Sequence, residues 1–249
     1  MINDAFTIWL REMIRFWRAK SRVIGSLAMP FFWLAIMGVG FNNMVPNVGG
    51  TNYMTFMFPG ILGMTLLFSS MFSGISVIID RQFGFLKEIL VAPISRLSIM
   101  LGKTLGGSTT AIINGLIMLV LAMLIGIQVI SLVGIFLSLV FMFLISVSFV
   151  SLGVAIASRM SDMSGFQVIM NFFIMPMFFL SGALFPINQT PLWMQSLAYI
   201  NPLFYGIDGL RGSLIGVSVF SILIDFIVLS IFCAVLIFIG AYLFIKSEI

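Results

Sequence analysis

Long runs of apolar residues, separated by short polar segments, make up most of this chain. A helix needs about 20 apolar residues to cross the hydrocarbon core of a bilayer, and six runs are long enough. Because backbone amides must be hydrogen-bonded internally in lipid, each run is predicted to be a helix. The chain is therefore predicted to be an all-α membrane protein with six transmembrane helices, at about residues 23–41, 54–79, 105–129, 132–158, 163–183 and 217–245.

Composition supports a single membrane domain over residues 1–249. The chain is 61% hydrophobic and only 8% charged, with a mean hydropathy of +1.22, whereas soluble domains are about 25% charged. There is no histidine, and the one cysteine, Cys233, lies in an apolar run. An intramolecular disulfide is thus excluded, a metal site is disfavoured, and no cluster of side chains typical of an enzyme is found.

The basic residues divide unequally between the two sides of the predicted membrane domain. Eleven of the twelve lysines and arginines fall on the side of the N-terminus, and only Arg211 falls on the other. Such a bias marks the cytoplasmic side. Both termini are therefore predicted to be cytoplasmic in a multi-pass protein of the plasma membrane. The net charge of +4 follows from this topology and is not read as nucleic-acid binding.

Residues 1–22 are predicted to form a helix that lies in the headgroup plane. Apolar residues recur at helical spacing: Phe6, Leu10, Met13 and Trp17. Basic residues repeat this spacing on another face: Arg11, Arg15, Arg18 and Arg22. An apolar stripe beside a basic stripe is typical of an interfacial helix. The helix either serves as a simple anchor or also meets a cytoplasmic partner.

The segment 80–103 carries six of the twenty charged residues between two apolar runs. A short amphipathic piece lies between Gly84 and Pro93, with Leu86, Ile89 and Leu90 on one side. We expect this cytoplasmic loop to contact another protein, since water disfavours an exposed apolar face.

The external segment 184–216 is apolar but is interrupted by three prolines, Pro186, Pro191 and Pro202. It is too broken to cross the membrane. We predict a re-entrant segment of one or two short helices, which is tolerated where protein covers the backbone.

The triplet Gly102-Lys103-Thr104 ends like a phosphate-binding loop, but Leu97 stands where that motif requires its first glycine. No nucleotide site is therefore expected. Lys103 is instead predicted to extend to the lipid headgroups, and Gly102 and Gly106 are predicted to allow close helix packing.

Three charged residues near the outer side have alternative roles. Asp208 and Arg211, three residues apart, are predicted to form a local ion pair. Asp225 is the one carboxylate inside a predicted span. It is either an interfacial or water-exposed carboxylate, or a site for proton coupling or substrate.

Two polar stripes lie on predicted spans. The first, on span two, comprises Thr65, Ser69, Ser73 and Ser76. The second, on span five, comprises Ser164, Gln167 and Asn171 and is continued by Met175. Small polar residues either hold membrane helices together or line a route for substrate.

Two regions of the chain resemble the membrane subunit of ABC-2-type exporters, a permease family with drug-resistance, nodulation-factor and polysaccharide exporters. The first is FPGILGMTLLFSSMFSGISVIIDRQFGFLKEILVAPISR, with matching residues Asp80, Arg81, Gly84, Leu90, Pro93, Ser95 and Arg96; Asp80 stands where Glu is common. The second is FLSGALFPINQTPLWMQSLAYINPLFYGIDGLRG, with matching Leu-Ser-Gly, Phe-Pro, Pro-x-Trp, Asn-Pro-Leu-x-Tyr and Arg.

The resemblance implies a permease subunit, not an enzyme, that moves an amphipathic drug, lipid-like or glycan substrate out of the cytoplasm by alternating access. It implies a pair of permease copies, expected to be a homodimer surrounded by membrane lipid. It also implies a separate ABC ATPase, which binds ATP and Mg, while this chain binds no cofactor. An ATPase-independent secondary carrier or channel is the alternative.

The resemblance also implies roles for individual residues. The ATPase-coupling residues would be Asp80, Arg81, Gly84, Leu86, Glu88, Ile89, Leu90, Pro93 and Arg96. The substrate path would include Thr65, Ser69, Ser73, Ser76, Gln167, Asn171 and Met175. The external motif would comprise Pro186, Trp193, Asn201, Pro202, Tyr205 and Arg211.

Overall fold

A computed structural model of the chain describes residues 2–42, 48, 50–84 and 94–246. Over these residues the fold consists of helices without a β-strand, which confirms the all-α prediction. The α-helices are α1 (Ile2–Arg18), α2 (Lys20–Phe32), α3 (Gly38–Asn42), α4 (Tyr53–Gln82), α5 (Arg96–Leu124), α6 (Leu132–Ser158), α7 (Met163–Ile169), α8 (Met175–Phe179), α9 (Leu192–Ile200), α10 (Pro202–Ile215) and α11 (Ile222–Ile245). Two π-helical segments, Trp33–Met37 and Met170–Ile174, join α2 to α3 and α7 to α8, and a 3₁₀ turn covers Ile187–Gln189.

Five helical segments in the described part of the chain are long and apolar enough to cross a membrane. They are Val23–Asn42, α4, α5, α6 and α11. The segment predicted to span at 163–183 is shorter, because its helix ends at Phe179. At 1.5 Å per residue it is roughly 25 Å long, less than the hydrocarbon core of about 30 Å. The chain then turns at Gly182, which has a positive φ of 69°.

Helices α4 and α5 extend further toward the charged loop than their apolar runs predict. The second span ends at Gln82 instead of 79, and the third begins at Arg96 instead of 105. Ser95 caps α5 by accepting a hydrogen bond from the backbone N–H of Ser98, as expected of an N-cap serine. The helices tolerate charge here because Asp80 and Lys103 pair with each other.

The core lies between α4 and α6, which cross at two glycines. A Cβ added to Gly74 would lie 2.5 Å from the carbonyl carbon of Gly153, so no larger residue fits at this crossing. Helix α10 packs against α4, α6 and α11 and is buried along most of its length. Apolar side chains on α11 are largely exposed, as expected of a helix that faces lipid.

The predicted external segment 184–216 contains the 3₁₀ turn, the exposed helix α9 and the buried helix α10. Short helices at this place agree with the sequence pattern. Their depth in a membrane stays a prediction. The predicted interfacial helix 1–22 appears as α1, which is separated from α2 by a break at Ala19.

Candidate functional site

Charged side chains from three helices meet where α4 ends and α5 begins. We call this group the charge cluster; it comprises Arg11, Glu12, Arg15, Asp80 and Lys103. Lys103 Nζ donates to Asp80 Oδ2 over 2.6 Å and to Glu12 Oε1 over 3.3 Å. Arg11 binds both carboxylate oxygens of Asp80, at 2.8 and 3.2 Å. The cluster therefore joins α1 to both helices that border the charged loop.

The two central members of the charge cluster are almost completely buried. The side chains of Asp80 and Lys103 are 3% and 1% exposed, whereas those of Arg11 and Arg15 are 33% and 27% exposed. A buried charge is tolerated only when it is paired and hydrogen-bonded, and Lys103 gains a further acceptor in Ser76 Oγ at 3.1 Å. Removing Asp80 or Lys103 would leave the other buried charge with fewer partners, at a cost of up to about 3–5 kcal/mol.

The prediction that Lys103 extends to the lipid headgroups is wrong. Its ammonium group points into the protein because Asp80 offers a carboxylate there. The prediction of close packing at Gly102 and Gly106 is confirmed, and the partner is α1. A Cβ on Gly102 would lie 2.7 Å from the Ala5 carbonyl oxygen, and one on Gly106 would lie 2.8 Å from the Cβ of Glu12.

Helix α1 lies on α5 with its basic residues divided between two surroundings. Three members of the predicted apolar stripe are exposed: Phe6, Leu10 and Trp17. Met13, the fourth member, is buried together with Ile8 on the face toward α5. Arg11 turns to Asp80, whereas Arg18 remains exposed. This arrangement suits a helix with lipid on one side and protein on the other.

The described ends of the charged loop are tied to other parts of the fold. Arg81 Nη1 donates to the Met160 carbonyl over 3.4 Å, and Arg96 Nη1 donates to the Ile245 carbonyl over 2.6 Å. Gly84 has a φ of 75°, which favours glycine. The remaining predicted coupling residues lie outside the described residues: Leu86, Glu88, Ile89, Leu90 and Pro93.

A cavity of about 590 Å³ opens between α1, α2, α4 and α5, directly beside the charge cluster. Three of the four residues of the α4 stripe line it: Ser69, Ser73 and Ser76. Asn114 on α5 also lines the cavity and donates from Nδ2 to Ser69 Oγ at 3.0 Å and to Ser26 Oγ at 3.3 Å. The stripe thus both connects helices and presents polar groups to open space.

The other predicted path residues do not line this cavity. Thr65 is buried and donates to the Ile61 carbonyl of its own helix. Gln167 and Asn171 are exposed, and Met175 is half-buried. Within one chain, the residues of this second stripe therefore do not share the cavity that the α4 stripe lines.

Arg211 on α10 is buried and does not form the predicted ion pair with Asp208. Its Nη2 donates to the Gly182 carbonyl over 2.8 Å, and its Nε donates to the Phe56 carbonyl over 3.4 Å. The guanidinium carbon lies 4.1 Å from the centre of the Phe56 ring. Burial lowers the pKa of Arg211 to about 10, so the side chain keeps its charge at neutral pH.

Asp208 binds backbone instead of Arg211. Its carboxylate accepts hydrogen bonds from the N–H groups of Val219 and Phe220, at 2.8 and 2.9 Å. The predicted Asp208–Arg211 ion pair does not form because each side chain bonds to backbone groups. Asp208 accepts from N–H groups after α10, and Arg211 donates to carbonyls of two other segments. Arg211 and Asp208 therefore hold the turn at Gly182 and the segment after α10 against α10.

The other external-motif residues fix the ends of α9 and α10. Asn201 caps α10 by accepting a hydrogen bond from the Leu203 N–H. Its Nδ2 donates to the Met177 carbonyl, which precedes the turn at Gly182. Pro202 occupies the first turn of α10, and the Tyr205 hydroxyl donates to the Tyr199 carbonyl. Pro186 precedes the 3₁₀ turn, and Trp193 is exposed on α9. These contacts are structural in character.

Asp225 is fully buried on α11, and neither of its carboxylate oxygens has a hydrogen-bond partner within the described residues. Exposure of Asp225 to water is therefore wrong, whereas its interfacial position and its role in proton coupling or substrate binding stay predictions. Sequence reasoning also missed the pairing of Arg11 and Lys103 with Asp80. The available signal was the presence of opposite charges at the ends of three separate apolar segments.

Comparison with known proteins gives a consistent result. The family model for the ABC-2 type transporter matches residues 3–215. ycf38 from Cyanophora paradoxa, whose name describes a transport permease, is 29% identical over 84% of this chain and 73% of its own length. Nodulation protein J from Rhizobium leguminosarum bv. viciae is 26% identical over 92% of the chain and 88% of its own. The inner membrane transport permease YadH from Escherichia coli (strain K12) is 26% identical over 89% of each chain.

Proposed function

The chain belongs to the ABC-2 type transporter family, and we propose that it is the permease subunit of an ATP-driven exporter. A separate ABC ATPase would bind ATP and Mg, and this subunit would supply the route across the membrane. The proposed substrate is an amphipathic drug, a lipid-like molecule or a glycan. Both termini and the loop that follows α4 would lie in the cytoplasm.

The charge cluster is the observation that carries the proposal. A device that transmits motion from a cytoplasmic partner must connect the docking loop rigidly to several helices. Asp80 lies two residues before the end of α4, and Lys103 lies two turns into α5, on either side of the loop. Their bonds to each other and to Arg11 tie α1, α4 and α5 together. Movement of the loop would therefore move these three helices as one unit.

The exposed polar face of α7 supports a second permease copy. Gln167 on α7 and Asn171 in the π-helical segment that follows it are exposed in an otherwise apolar stretch, beside Phe172, which is 81% exposed. Polar side chains in a membrane favour the interior of a bundle or a water-filled path over lipid. A second copy that packs along α7 would cover these groups and would enclose a path between the two subunits. ATP binding would then act through the different affinities of two states of this dimer.

The test uses aspartate substitutions in the loop. Leu86→Asp or Leu90→Asp should leave the permease inserted but unable to hold its ATPase, because burying a leucine against a partner is worth about 1.5–3 kcal/mol. The measurements are co-purification of the ATPase with tagged permease and permease-stimulated ATP hydrolysis in vesicles. Leu192→Asp, on the exposed face of α9, is the matched control and should retain both.

Normal co-purification and normal stimulated hydrolysis in both loop variants would overturn the coupling role. Transport by the permease alone, in vesicles without the ATPase, would instead favour the secondary-carrier alternative. The two failures are distinguishable, since the first concerns docking and the second concerns the energy source.

A further inference from the structure

The cavity between α1, α2, α4 and α5 contains two polar atoms that lack hydrogen-bond partners within the described residues. Arg15 Nη1 is buried and lies 3.8 Å from Asp80, too far for a hydrogen bond. Asn114 is 4% exposed, and its Oδ1 accepts no hydrogen bond. Leaving a buried polar group unpaired costs about 1–3 kcal/mol. Both residues line the cavity, so a ligand there could supply an acceptor to Arg15 and a donor to Asn114 once these side chains rotate toward it.

The lining between these two atoms offers further polar positions. Ser69 and Ser76 accept hydrogen bonds from Asn114 and Lys103, so each hydroxyl keeps its hydrogen for another acceptor. The two serines are seven residues apart on α4, which corresponds to about 10 Å along the helix. The polar strip is thus long enough for an extended head group and exceeds the size of a simple ion.

The rest of the lining is apolar. Phe16, Phe72 and Ile75 face the same space. A ligand that fills the cavity must therefore combine a polar part with an apolar part. Helix α1 contributes Phe16 to this lining and exposes Phe6, Leu10 and Trp17 elsewhere on its surface, so an amphiphile in lipid would meet the helix that borders the cavity.

The charges around the mouth favour an anion. The charge cluster contains three basic residues and two acidic ones, a net charge of +1. Glu12 and Asp80 are both engaged by Lys103, and Arg11 is engaged by Asp80. Arg15 is the cation with the weakest contact in the cluster, and it lines the cavity.

We propose that this cavity is a binding site for an anionic amphiphile whose polar part also carries hydroxyl or N–H donors. Arg15 would hold the anionic group, Ser76 and Ser69 would donate to its oxygens, and Asn114 Oδ1 would accept from a donor at the inner end. A lipid of the bilayer and a transported amphiphile share this chemistry. The inference rests on the cavity alone and stands without the proposed ATPase.

The experiment measures lipid binding to the purified full-length chain in detergent by native mass spectrometry. The probe is phosphatidylinositol, which has a phosphate and a hydroxylated ring, and the comparison is phosphatidylcholine, which has neither a net charge nor a head-group donor. The wild type should bind phosphatidylinositol about tenfold more tightly than phosphatidylcholine, since a hydrogen bond to a charged group is worth about 1.5–3 kcal/mol.

Two matched pairs of variants locate the site. Gly25 borders the cavity and has open space around an added Cβ, so Gly25→Leu should narrow the cavity without misfolding and weaken the selective binding. Gly40→Leu, equally unobstructed and away from the cavity, should not. Arg15→Gln should lower the affinity for phosphatidylinositol about tenfold, whereas Arg18→Gln on the exposed face should leave it unchanged.

Equal binding of the two lipids by the wild type would overturn the proposal, as would equal loss in Gly25→Leu and Gly40→Leu. If the selective site is found, labelled phosphatidylinositol in vesicles with the complete transporter distinguishes the sources. A lipid that stays bound through ATP turnover is a resident of the bilayer, and one that is moved is a transported ligand.

Discussion

At the scale of single residues, the fold depends on a few charges that lie deeper than their sequence context predicts. Lys103 and Asp80 are both within helices long enough to span a membrane, and both are buried. An isolated charge at the centre of a bilayer costs about 2.5–3.5 kcal/mol on insertion scales. The ion pair between Lys103 and Asp80 offsets most of this penalty. Each charge is therefore tolerated at its buried position because the other is present.

Replacing Lys103 with methionine should therefore destabilise the protein by about 2–4 kcal/mol. The substitution approximately keeps the length of the side chain and removes its charge, which leaves Asp80 with Arg11 and the more distant Arg15. The free energy of unfolding in mixed micelles is the measurement. Lys20→Met, on an exposed side chain of α2, should change stability by less than about 0.5 kcal/mol.

A double-mutant cycle provides the control for this prediction. If Asp80 and Lys103 are coupled, adding Asp80→Asn to Lys103→Met should cost less than the sum of the two single changes, by about 1–3 kcal/mol. Strict additivity would show that the two side chains contribute independently and that their pairing does not stabilise the charge cluster.

The sequence contains the residues of the charge cluster but does not indicate which of them pair. Asp80 was predicted to be functional from its place in the loop motif, and Lys103 was assigned to the headgroups because it follows a polar loop. Their contact depends on how α4 and α5 cross, and on α1 lying across both, which is a matter of three-dimensional packing. Arg211 illustrates the same limit, since carbonyl groups from two other segments replace the neighbour expected from its spacing.

At the scale of elements, glycines decide which helices touch. Gly102 and Gly106 place α1 directly on α5, and Gly74 places α4 against α6. The apolar runs predicted the existence of the long helices. Their ends were less predictable, because cap residues such as Ser95 and buried ion pairs extend helices into segments that look polar. The segment at 163–183 shows the converse, since a turn at Gly182 shortens an apolar run.

Gly102→Leu should detach α1 from α5. Its Cβ would lie 2.7 Å from a backbone oxygen of α1, and backbone cannot give way as a flexible side chain can. Arg11 and Arg15 would then become accessible, and limited proteolysis with trypsin should cleave after them several times faster than in the wild type. Gly40→Leu, which meets no atom within 4 Å, should show wild-type cleavage. An unchanged pattern in Gly102→Leu would mean that this glycine does not govern the contact.

At the scale of the whole molecule, the resemblance to the ABC-2 family is confirmed, and the membrane character follows from five long apolar helices. The orientation of the chain in the membrane is predicted from the unequal distribution of basic residues between its two sides. Contacts within the described fold do not test it. The proposed second copy would be needed to join the two polar stripes, because a single chain leaves Gln167 and Asn171 exposed.

Two exposed serines test the predicted orientation. Ser161, in the turn before α7, should face the cytoplasm, and Ser218, between α10 and α11, should face outside. Each is changed to cysteine in a Cys233→Ala background, and intact cells are treated with a membrane-impermeant maleimide. Labelling is expected at Ser218→Cys only, with labelling of both after the membrane is made permeable. Labelling at Ser161→Cys alone would reverse the topology.

The charge cluster also imposes an order on biosynthesis. Arg11 is made before Asp80, and Lys103 follows 23 residues after Asp80, an interval of about 1–5 s at usual translation rates. When α4 leaves the ribosome, α1 is already available to neutralise its carboxylate, so Asp80 need not wait unpaired in lipid. The nascent chain thus carries its own counter-ion ahead of the group that needs it, and α5 completes a site that α1 has kept occupied.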